Sequence, residues 1–429
     1  MTHPVTTVAI RTERLIHRTV TLDDTGDVAL NWNVDDPPLS HEEAIGRVQW
    51  MQANHAANAP GRLVHLCLAI VHRETGRIIG WCGLDQRDAS KARPVLSVAG
   101  RALGAVRSNT MNQSPTTESN HFRLHPLAEG VFAAIATNGG SAICNAGIID
   151  LGGQVLVYDT FLTPQAASDL RQAIASLFGP LPCIVINSHY HNDHIWGNQV
   201  FAAEAPIIAS RRTRALIATE GAEEFKWYSA NSAQRLEALR AQYQAADEEQ
   251  RQELLLWMGE YGGVVEALPH LRVCLPTITF DDRLEIHGAR YTAELVAYEG
   301  GHTGHDTVLY LPQAGILFMS DLLFVGFHPY LADGDPAQLL KALRAVSPLN
   351  ANDIVPGHGP VGTSGDLALM IDYVEECLET ARTLVEAGHA SEAELDQLRV
   401  PDKYAHWQLP RFYRTNIRFM CSQLRPASG

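Results

Sequence analysis

The sequence lacks the features of a secreted, membrane-spanning or disulfide-stabilised protein. Its seven cysteines are scattered over 429 residues and form no CxxC pair, which is typical of reduced, buried thiols. No apolar run approaches the roughly 18 residues that cross a bilayer. The N-terminal segment also lacks the long apolar stretch of a secretion signal. We therefore expect a cytoplasmic protein with no membrane partner.

Positive charge is scarce as well. The chain has 33 basic and 48 acidic residues and a formal net charge of −15. This balance argues against a general nucleic-acid-binding protein, because such proteins neutralise phosphates with lysine and arginine. Hydrophobic residues make up 46% of the chain, as in soluble globular proteins. The length exceeds one ordinary core and predicts two domains.

The pattern of strands and helices divides the chain into three parts. Residues 1–90 predict a strand and turn (TERLIHRTVTLDD), a helix (HEEAIGRVQWMQANHAA) and two further strands. Residues 91–120 end in a run rich in Ser, Thr and Asn, which is typical of a linker. Residues 121–429 alternate strands with helices and predict a layered α/β domain. Within it, residues 216–265 are rich in Ala, Leu, Glu, Gln and Arg and predict a helical insertion.

One hexapeptide carries most of the chemistry. The apolar strand CIVIN leads into SHYHNDH, which places His189, His191, Asp193 and His194 within six residues. Zinc binds imidazole nitrogen and carboxylate oxygen at about 2.0–2.2 Å, and a loop after a strand can direct such groups at two neighbouring points. Chance clustering is a poor explanation for this pattern, even in a chain with 19 histidines.

Three later signals also follow apolar strands. They are His302 within residues 300–306 (GGHTGHD), Asp321 at the end of GILFMSD, and His358 in IVPGHGP. Each alone is typical of a turn or a helix cap. In this order and together with HxHxDH, they resemble the metallo-β-lactamase superfamily over about residues 122–385. The resemblance implies an αββα sandwich with metals at one edge, between two sheets.

The resemblance also implies two divalent cations, with zinc expected and iron or manganese as alternatives that the same donor types accept. Their seven implied ligands are His189, His191 and His302 for the first metal, Asp193, His194 and His358 for the second, and Asp321 for both. A water bridging two cations has its pKa lowered towards neutrality, so a bridging hydroxide would be the nucleophile. Asp193 is the candidate catalytic residue that would orient it and move a proton.

The ligand set selects a branch of this family. One β-lactamase subclass has a cysteine where this chain has Asp321, and the other dizinc subclass lacks the bridging aspartate. A bridging aspartate is typical of glyoxalase II-like thioesterases, lactonases and ribonuclease Z-like nucleases. The segments SHYHNDHIWGNQVF, SDLLFVGFHPYL and DIVPGHGPVG are most similar to hydrolases associated with sulfur oxidation and quinoproteins. We expect a small ester, thioester, lactone or related substrate. A nuclease or phosphodiesterase, a weak β-lactamase and an iron-dependent redox protein are alternatives on the same fold.

Several residues near the ligands in sequence are candidates for contacts with substrate or with ligand side chains: Asp159, Tyr190, His305, Asp306, His328 and Tyr330. Metal-bound histidines usually donate their second N–H to a carboxylate or carbonyl, which favours Asp159 and Asp306, although either could be a turn residue. Core packing is the alternative for the aromatic candidates. The insertion would form a lid over the site, an excursion on the surface or a contact between two copies of the chain. An oligomer is therefore one of the alternatives.

Residues 8–86 are similar to the first half of a GNAT-type N-acetyltransferase, which implies a partial α+β domain. The loop that binds the acetyl-CoA pyrophosphate in that family should follow. Its nearest match, residues 101–106 (RALGAV), lacks the final small residue. We interpret this block as a truncated GNAT-like segment. The alternative is an acetyltransferase-related fusion in which the segment is functional.

Overall fold

The computed structural model describes residues 9–11, 15–26, 28, 40–56, 65–72, 78–85, 93–98, 119–349 and 351–424. The chain forms two compact units, Met1–Asn112 and Gln113–Gly429. Within the described ranges, no helix is both long enough and apolar enough to cross a membrane.

The first unit contains an antiparallel sheet with strand order β1-β2-β3-β4-β5. Its strands are β1 (Ala9–Arg11), β2 (Leu15–Arg18), β3 (His65–His72), β4 (Ile78–Asp85) and β5 (Arg93–Val98). One helix, α1 (His41–Ala56), buries Ala44, Val48 and Met51 on one face, as spacings of four and three residues predict. Strand β5 lies within the segment predicted as a linker, because RPVLSV pairs with β4 along its whole length. The loop match at residues 101–106 lies outside the described residues.

The second unit is built on two sheets. The seven-stranded sheet has the order β12-β11-β10-β9-β8-β7-β6, and the five-stranded sheet has the order β13-β14-β15-β16-β17. The strands of the first are β6 (Phe122–Ala128), β7 (Val131–Ala136), β8 (Ala146–Asp150), β9 (Val155–Tyr158), β10 (Cys183–Ile186), β11 (Ile207–Ser210) and β12 (Ile278–Phe280). Those of the second are β13 (Arg283–His287), β14 (Thr292–Glu299), β15 (His305–Leu311), β16 (Ile316–Phe324) and β17 (Asp353–His358).

Ten α-helices accompany these sheets in the described part of the second unit. In chain order they are α2 (Pro164–Phe178), α3 (Asn192–Ile195), α4 (Asn198–Phe201), α5 (Arg211–Ala218), α6 (Glu220–Ala245), α7 (Glu248–Ala267), α8 (Pro336–Val346), α9 (Ser364–Ala387), α10 (Glu392–Asp396) and α11 (Arg411–Leu424). Helix α2 buries Leu170 and Ile174 against the first sheet, whereas α8, α9 and α11 pack on the second. The predicted α/β sandwich is confirmed.

The two sheets face each other across an apolar layer. Tyr158 of β9 and Phe318 of β16 meet there with ring centroids 5.8 Å apart. Gly147 of β8 is required for this approach, because a β-carbon at that position would lie 2.7 Å from the Phe318 ring. Aligned side chains from the two inner faces thus hold the sheets at a fixed separation.

The predicted insertion forms a helical hairpin, residues 220–267, which consists of α6 and α7. Asp247 caps α7 by accepting a hydrogen bond from the Gln250 backbone N–H at 2.9 Å. Tyr228 of α6 stacks on Tyr261 of α7 with ring centroids 5.7 Å apart. Tyr228 also packs edge-on against the buried Trp196 beside the HxHxDH segment. These contacts fix the hairpin against the part of the domain that carries the candidate ligands.

Candidate metal centre

Strand ends and a strand irregularity position the candidate ligands. His189 and His191 follow β10, and His302 follows β14. Asp321 lies within β16, in the irregular stretch between Ser320 and Phe324 where the register with β17 shifts, and not at the strand end that the sequence predicted. His358 is the last residue of β17. Because these strand ends share one edge of the sandwich, the five side chains meet there.

The first group of donor atoms surrounds one point. His191 Nδ1 lies 3.1 Å from His189 Nε2 and 3.0 Å from His302 Nε2. His302 Nε2 lies 3.2 Å from Asp321 Oδ2. Tetrahedral ligands at about 2.1 Å from a zinc ion are about 3.4 Å apart, so this spacing is near that of a cation site. The four residues can hold one metal ion.

The second group lies next to it. His194 Nε2 is 3.5 Å from Asp193 Oδ2 and 3.1 Å from Asp321 Oδ1. His358 Nε2 is 3.5 Å from Asp193 Oδ2 and 3.3 Å from Asp321 Oδ2. His194 Nε2 and Asp321 Oδ1 are buried, yet neither atom makes a hydrogen bond with another described residue. Buried polar atoms rarely stay unpaired, so this second group also fits a cation.

The electrostatics of the site keep His189, His302 and Asp321 in metal-binding form. Burial lowers the pKa of His302 to about 3 and that of His189 well below the usual value, so both rings are neutral with a free lone pair. Burial would raise the pKa of Asp321, but the charges of His358 and His194 hold it well below the ordinary value. Asp321 is therefore a carboxylate whose two oxygens face both groups.

Two carboxylates support the ligands from behind. Asp159 Oδ2 lies 2.8 Å from His194 Nδ1, and Asp159 also accepts hydrogen bonds from the Ser188 backbone N–H and hydroxyl. Asp333 Oδ2 lies 3.2 Å from His191 Nε2. Each carboxylate can accept the remote N–H of its histidine, which orients the other nitrogen towards the candidate metal site. The sequence analysis named Asp159 but missed Asp333, which has no distinguishing local pattern.

Two other predicted residues hold loops and strands and have no described hydrogen bond to a candidate ligand side chain. Asp306 accepts hydrogen bonds from the Thr303 backbone N–H at 3.0 Å and hydroxyl at 2.8 Å, which is the turn role. His305 Nδ1 lies 2.8 Å from the Ser210 hydroxyl at the end of β11. Both contacts fasten the loop that carries His302.

The aromatic candidates have different positions. His328, a candidate for contact with substrate or with a ligand side chain, takes the core-packing alternative: it is buried, with Nδ1 3.1 Å from the Tyr373 hydroxyl and its ring against Trp407. Tyr190 packs edge-on against the His191 ring at 4.6 Å. Tyr330 lines the cavity described next.

A cavity of about 330 Å³ opens onto the candidate ligands. His191, Asp193, His302, Asp321 and His358 form one side of it. The helical hairpin contributes much of the wall, through Glu224, Tyr228, Leu256, Trp257, Glu260 and Tyr261. The segment that begins α11 adds Leu409, Arg411 and Phe412. The hairpin therefore lies over the candidate ligands, as expected for a lid.

Cys144 was also missed by the sequence analysis. Its thiol lies next to Asp193 and His194 and donates a hydrogen bond to the Asp193 carbonyl at 2.9 Å. Burial raises the pKa of Cys144 to about 12. In the absence of a metal ion, the group is therefore a thiol whose hydrogen bond holds the backbone at Asp193.

The chain is similar to known proteins. The model of the family described as "Metallo-beta-lactamase superfamily" matches residues 139–358. The 2,4-dinitroanisole O-demethylase subunit alpha of Nocardioides sp. (strain JS1661) is 27% identical over 260 residues, 59% of this chain and 61% of that protein. The chain thus spans about three fifths of the length of this relative. A metallo-beta-lactamase structure from Pontibacter korlensis aligns with 59% of this chain and 99% of its own, at 18% identity and a TM-score of 0.43.

Proposed function

The chain belongs to the metallo-beta-lactamase superfamily and is a metal-dependent hydrolase, and from this premise we propose that it uses two zinc ions to hydrolyse a small aromatic ester, thioester or lactone. One observation carries the dinuclear assignment. The Asp321 carboxylate belongs to both groups of donors, with His302 on one side and His194 and His358 on the other. A carboxylate in this position can bridge two cations.

Zinc is favoured by the donor types. Five imidazoles and two carboxylates make up the proposed ligand set: His189, His191 and His302 for one ion, Asp193, His194 and His358 for the other, and Asp321 for both. These donors suit zinc, and they also accept iron or manganese. When bound, two such cations supply a bridging hydroxide near neutral pH and polarise the substrate carbonyl.

Asp193 is the proposed catalytic residue of the chain itself. Its carboxylate lies at the cavity surface, 3.5 Å from both His194 Nε2 and His358 Nε2. In this position it can orient the attacking water and accept a proton from it. The hydrogen bond from the Cys144 thiol to the Asp193 carbonyl holds the backbone at this residue.

The cavity wall supports an aromatic substrate. The hairpin and the start of α11 place Trp257, Tyr261 and Phe412 around the cavity, and Tyr330 packs on Phe412. Aromatic rings pack favourably on such walls, with about 0.5–1.5 kcal/mol per ring pair beyond their buried area. The name of the Nocardioides relative also describes action on a substituted benzene. A cavity of about 330 Å³ is large enough for a single-ring compound.

Elemental analysis and a substrate panel test this proposal. We expect about two zinc ions per chain and turnover of phenyl acetate, phenyl thioacetate or the aromatic lactone dihydrocoumarin. Asp321→Ala should lower the metal content and abolish turnover, whereas the exposed Glu266→Gln on α7 should change neither. One metal per chain in active protein would contradict the dinuclear centre. Turnover of bis(4-nitrophenyl) phosphate alone would favour a phosphodiesterase, and turnover of nitrocefin alone a β-lactamase.

The aromatic preference has its own test. Trp257→Ala should raise KM for phenyl acetate by about tenfold and leave KM for ethyl acetate nearly unchanged, because an aliphatic ester makes no ring contact. Equal changes for both esters would contradict selection of an aromatic ring by this wall.

A further inference from the structure

We propose that Glu260, paired with Tyr228, donates a proton to the leaving group of the substrate. The inference rests on the hydrolase function proposed above and adds a catalytic residue outside the ligand set. Glu260 belongs to α7 of the helical hairpin, and it lines the same cavity as Asp193 and His358. It is absent from the groups of side chains that can hold a metal among the described residues.

The Glu260 carboxyl group is buried and has one described hydrogen-bond partner. Its residue is 5% exposed, and the Tyr228 hydroxyl donates to Oε1 at 2.5 Å. Within the described part of the chain, no Lys, Arg or His lies within ion-pair distance of it, and its Oε2 accepts no hydrogen bond. A buried carboxylate without a counter-ion destabilises the fold. A residue with this unfavourable environment is typical of a functional site. The free oxygen is the one available to a bound substrate.

The groups around Glu260 come from four elements. The ionisation of Glu260 is affected by four side chains: Tyr228 of α6, Asp193 of α3, His358 of β17 and Arg411 of α11. Burial raises the pKa of Glu260 to about 7, and the negative charge of Asp193 also raises it. The hydrogen bond from Tyr228 and the positive charges of Arg411 and His358 lower the pKa and oppose this shift. Cations at the metal centre would lower the pKa again, which makes the carboxyl group a stronger acid. A carboxyl group that titrates near the working pH suits general acid catalysis.

A half-buried carboxylate on the hairpin, Glu224, has a different task. Glu224 Oε2 accepts a hydrogen bond from the Asn192 backbone N–H at 3.1 Å, in the middle of the HxHxDH segment. Glu224 is therefore a positioning residue for the ligand loop. Glu260 makes no such backbone contact among the described residues, which leaves it free to act on the substrate.

The proposed reaction consumes one water molecule, and its bonds and protons balance. The hydroxide oxygen bonds to the carbonyl carbon, the bond from that carbon to the leaving oxygen breaks, and the electron pair stays on the leaving oxygen. That oxygen takes the proton of the Glu260 carboxyl group and departs as an alcohol or phenol. The proton that the attacking water lost restores the carboxyl group. Tyr228 holds Oε1 throughout, so that Oε2 carries the transferred proton.

A series of acetate esters with different leaving groups tests the role of Glu260 in the metal-loaded protein. A basic leaving group needs the proton, whereas 4-nitrophenolate departs readily without it. Glu260→Gln should lower kcat about 100-fold for ethyl and phenyl acetate and less than about threefold for 4-nitrophenyl acetate. It should also remove the fall in kcat at high pH that deprotonation of an acid produces. Tyr228→Phe should show the same dependence with smaller losses, and Glu266→Gln should show none.

The other outcomes overturn the inference in identifiable ways. Equal losses of kcat for all three esters would assign Glu260 a binding or structural role, and an unchanged kcat would remove it from the reaction. Elemental analysis of Glu260→Gln must still give the metal content of the parent protein; if it does not, the Tyr228→Phe series decides. If the parent protein hydrolyses none of these esters, the proposed function itself fails, which is a separate result.

Discussion

Gly357 of β17 lies directly against the Asp321 carboxylate: a β-carbon at position 357 would be 1.8 Å from Asp321 Oδ1. The backbone of Gly357 is not in the left-handed region, so its lack of a side chain matters here and its conformational freedom does not. Close approach of β16 and β17 brings the Asp321 carboxylate and His358 to one edge. Gly357, the first glycine in IVPGHGP, thus leaves the space that the Asp321 carboxylate of the candidate metal centre occupies.

Gly357→Ala should therefore displace Asp321 and impair the binding of both metals. We expect a loss of at least one metal per chain and a lower melting temperature, because a methyl group has no room beside a buried carboxylate. Gly365→Ala is the matched control, since its added carbon would meet its nearest neighbour at an ordinary 3.4 Å. Elemental analysis and thermal unfolding measure both effects. Full metal content in Gly357→Ala would contradict the role assigned to Asp321.

Asp159→Asn should weaken metal binding without removing a ligand. Asp159 accepts the hydrogen bond that orients His194, and an amide can present its N–H there instead of an acceptor. Loss of such a partner typically costs 10–100-fold in metal affinity. Competition with a chromophoric chelator measures the affinity, and Asp169→Asn on α2 serves as the control. An unchanged affinity would show that His194 needs no support from this carboxylate.

Asp333→Asn should have a smaller effect of the same kind. Asp333 faces His191 Nε2 at 3.2 Å, but its side chain is 39% exposed, so water can replace part of its role. We expect metal affinity to fall by less than in Asp159→Asn. The same chelator competition compares the two variants, and a larger loss in Asp333→Asn would reverse the proposed order.

Asn145→Ala should destabilise the junction between the two sheets. The Asn145 amide accepts from the Ala136 backbone N–H and donates to the carbonyls of Pro356 and Gly359, on both sides of His358. Removal of three hydrogen bonds, one buried and two partly buried, should lower the free energy of unfolding by about 2–4 kcal/mol. Urea denaturation measures this value, and kcat/KM should fall as His358 loses its position. A change below about 0.5 kcal/mol would contradict this clamp.

Stability of the metal-free protein should depend on Glu260 and pH. Burial raises its pKa from 4.5 to about 7 in the folded protein, so its protonated form is favoured on folding. The contribution of protonated Glu260 to the free energy of unfolding is present below pH 4.5 and is lost as the pH rises through about 7. Relative to the parent protein, Glu260→Gln should gain roughly 2–3 kcal/mol between pH 5 and pH 8.5. Denaturation in urea with a chelator present measures the difference, and parallel pH profiles would show that Glu260 ionises normally.

The residues of the candidate metal centre could be named from local patterns. HxHxDH after an apolar strand, and later His302, Asp321 and His358 in or next to further apolar runs, were named from donor type and short spacing, which sequence displays directly. The α/β fold class follows for the same reason, since alternation of strands and helices is visible along the chain. The helical insertion was also visible, because its composition favours helix over a long window.

The partners of those residues depended on the tertiary structure. His191 and Asp333 are 142 positions apart, and Asn145 and Gly359 are 214 apart, so no spacing links them. Only the packing of the hairpin over the strand ends made Glu260 part of the cavity wall, and only the packing of Tyr373 and Trp407 around His328 buried it. Local sequence determines which atoms can bind a metal. Which groups orient those atoms, exclude water or face a substrate depends on how distant surfaces pack, and that is decided by the fold as a whole.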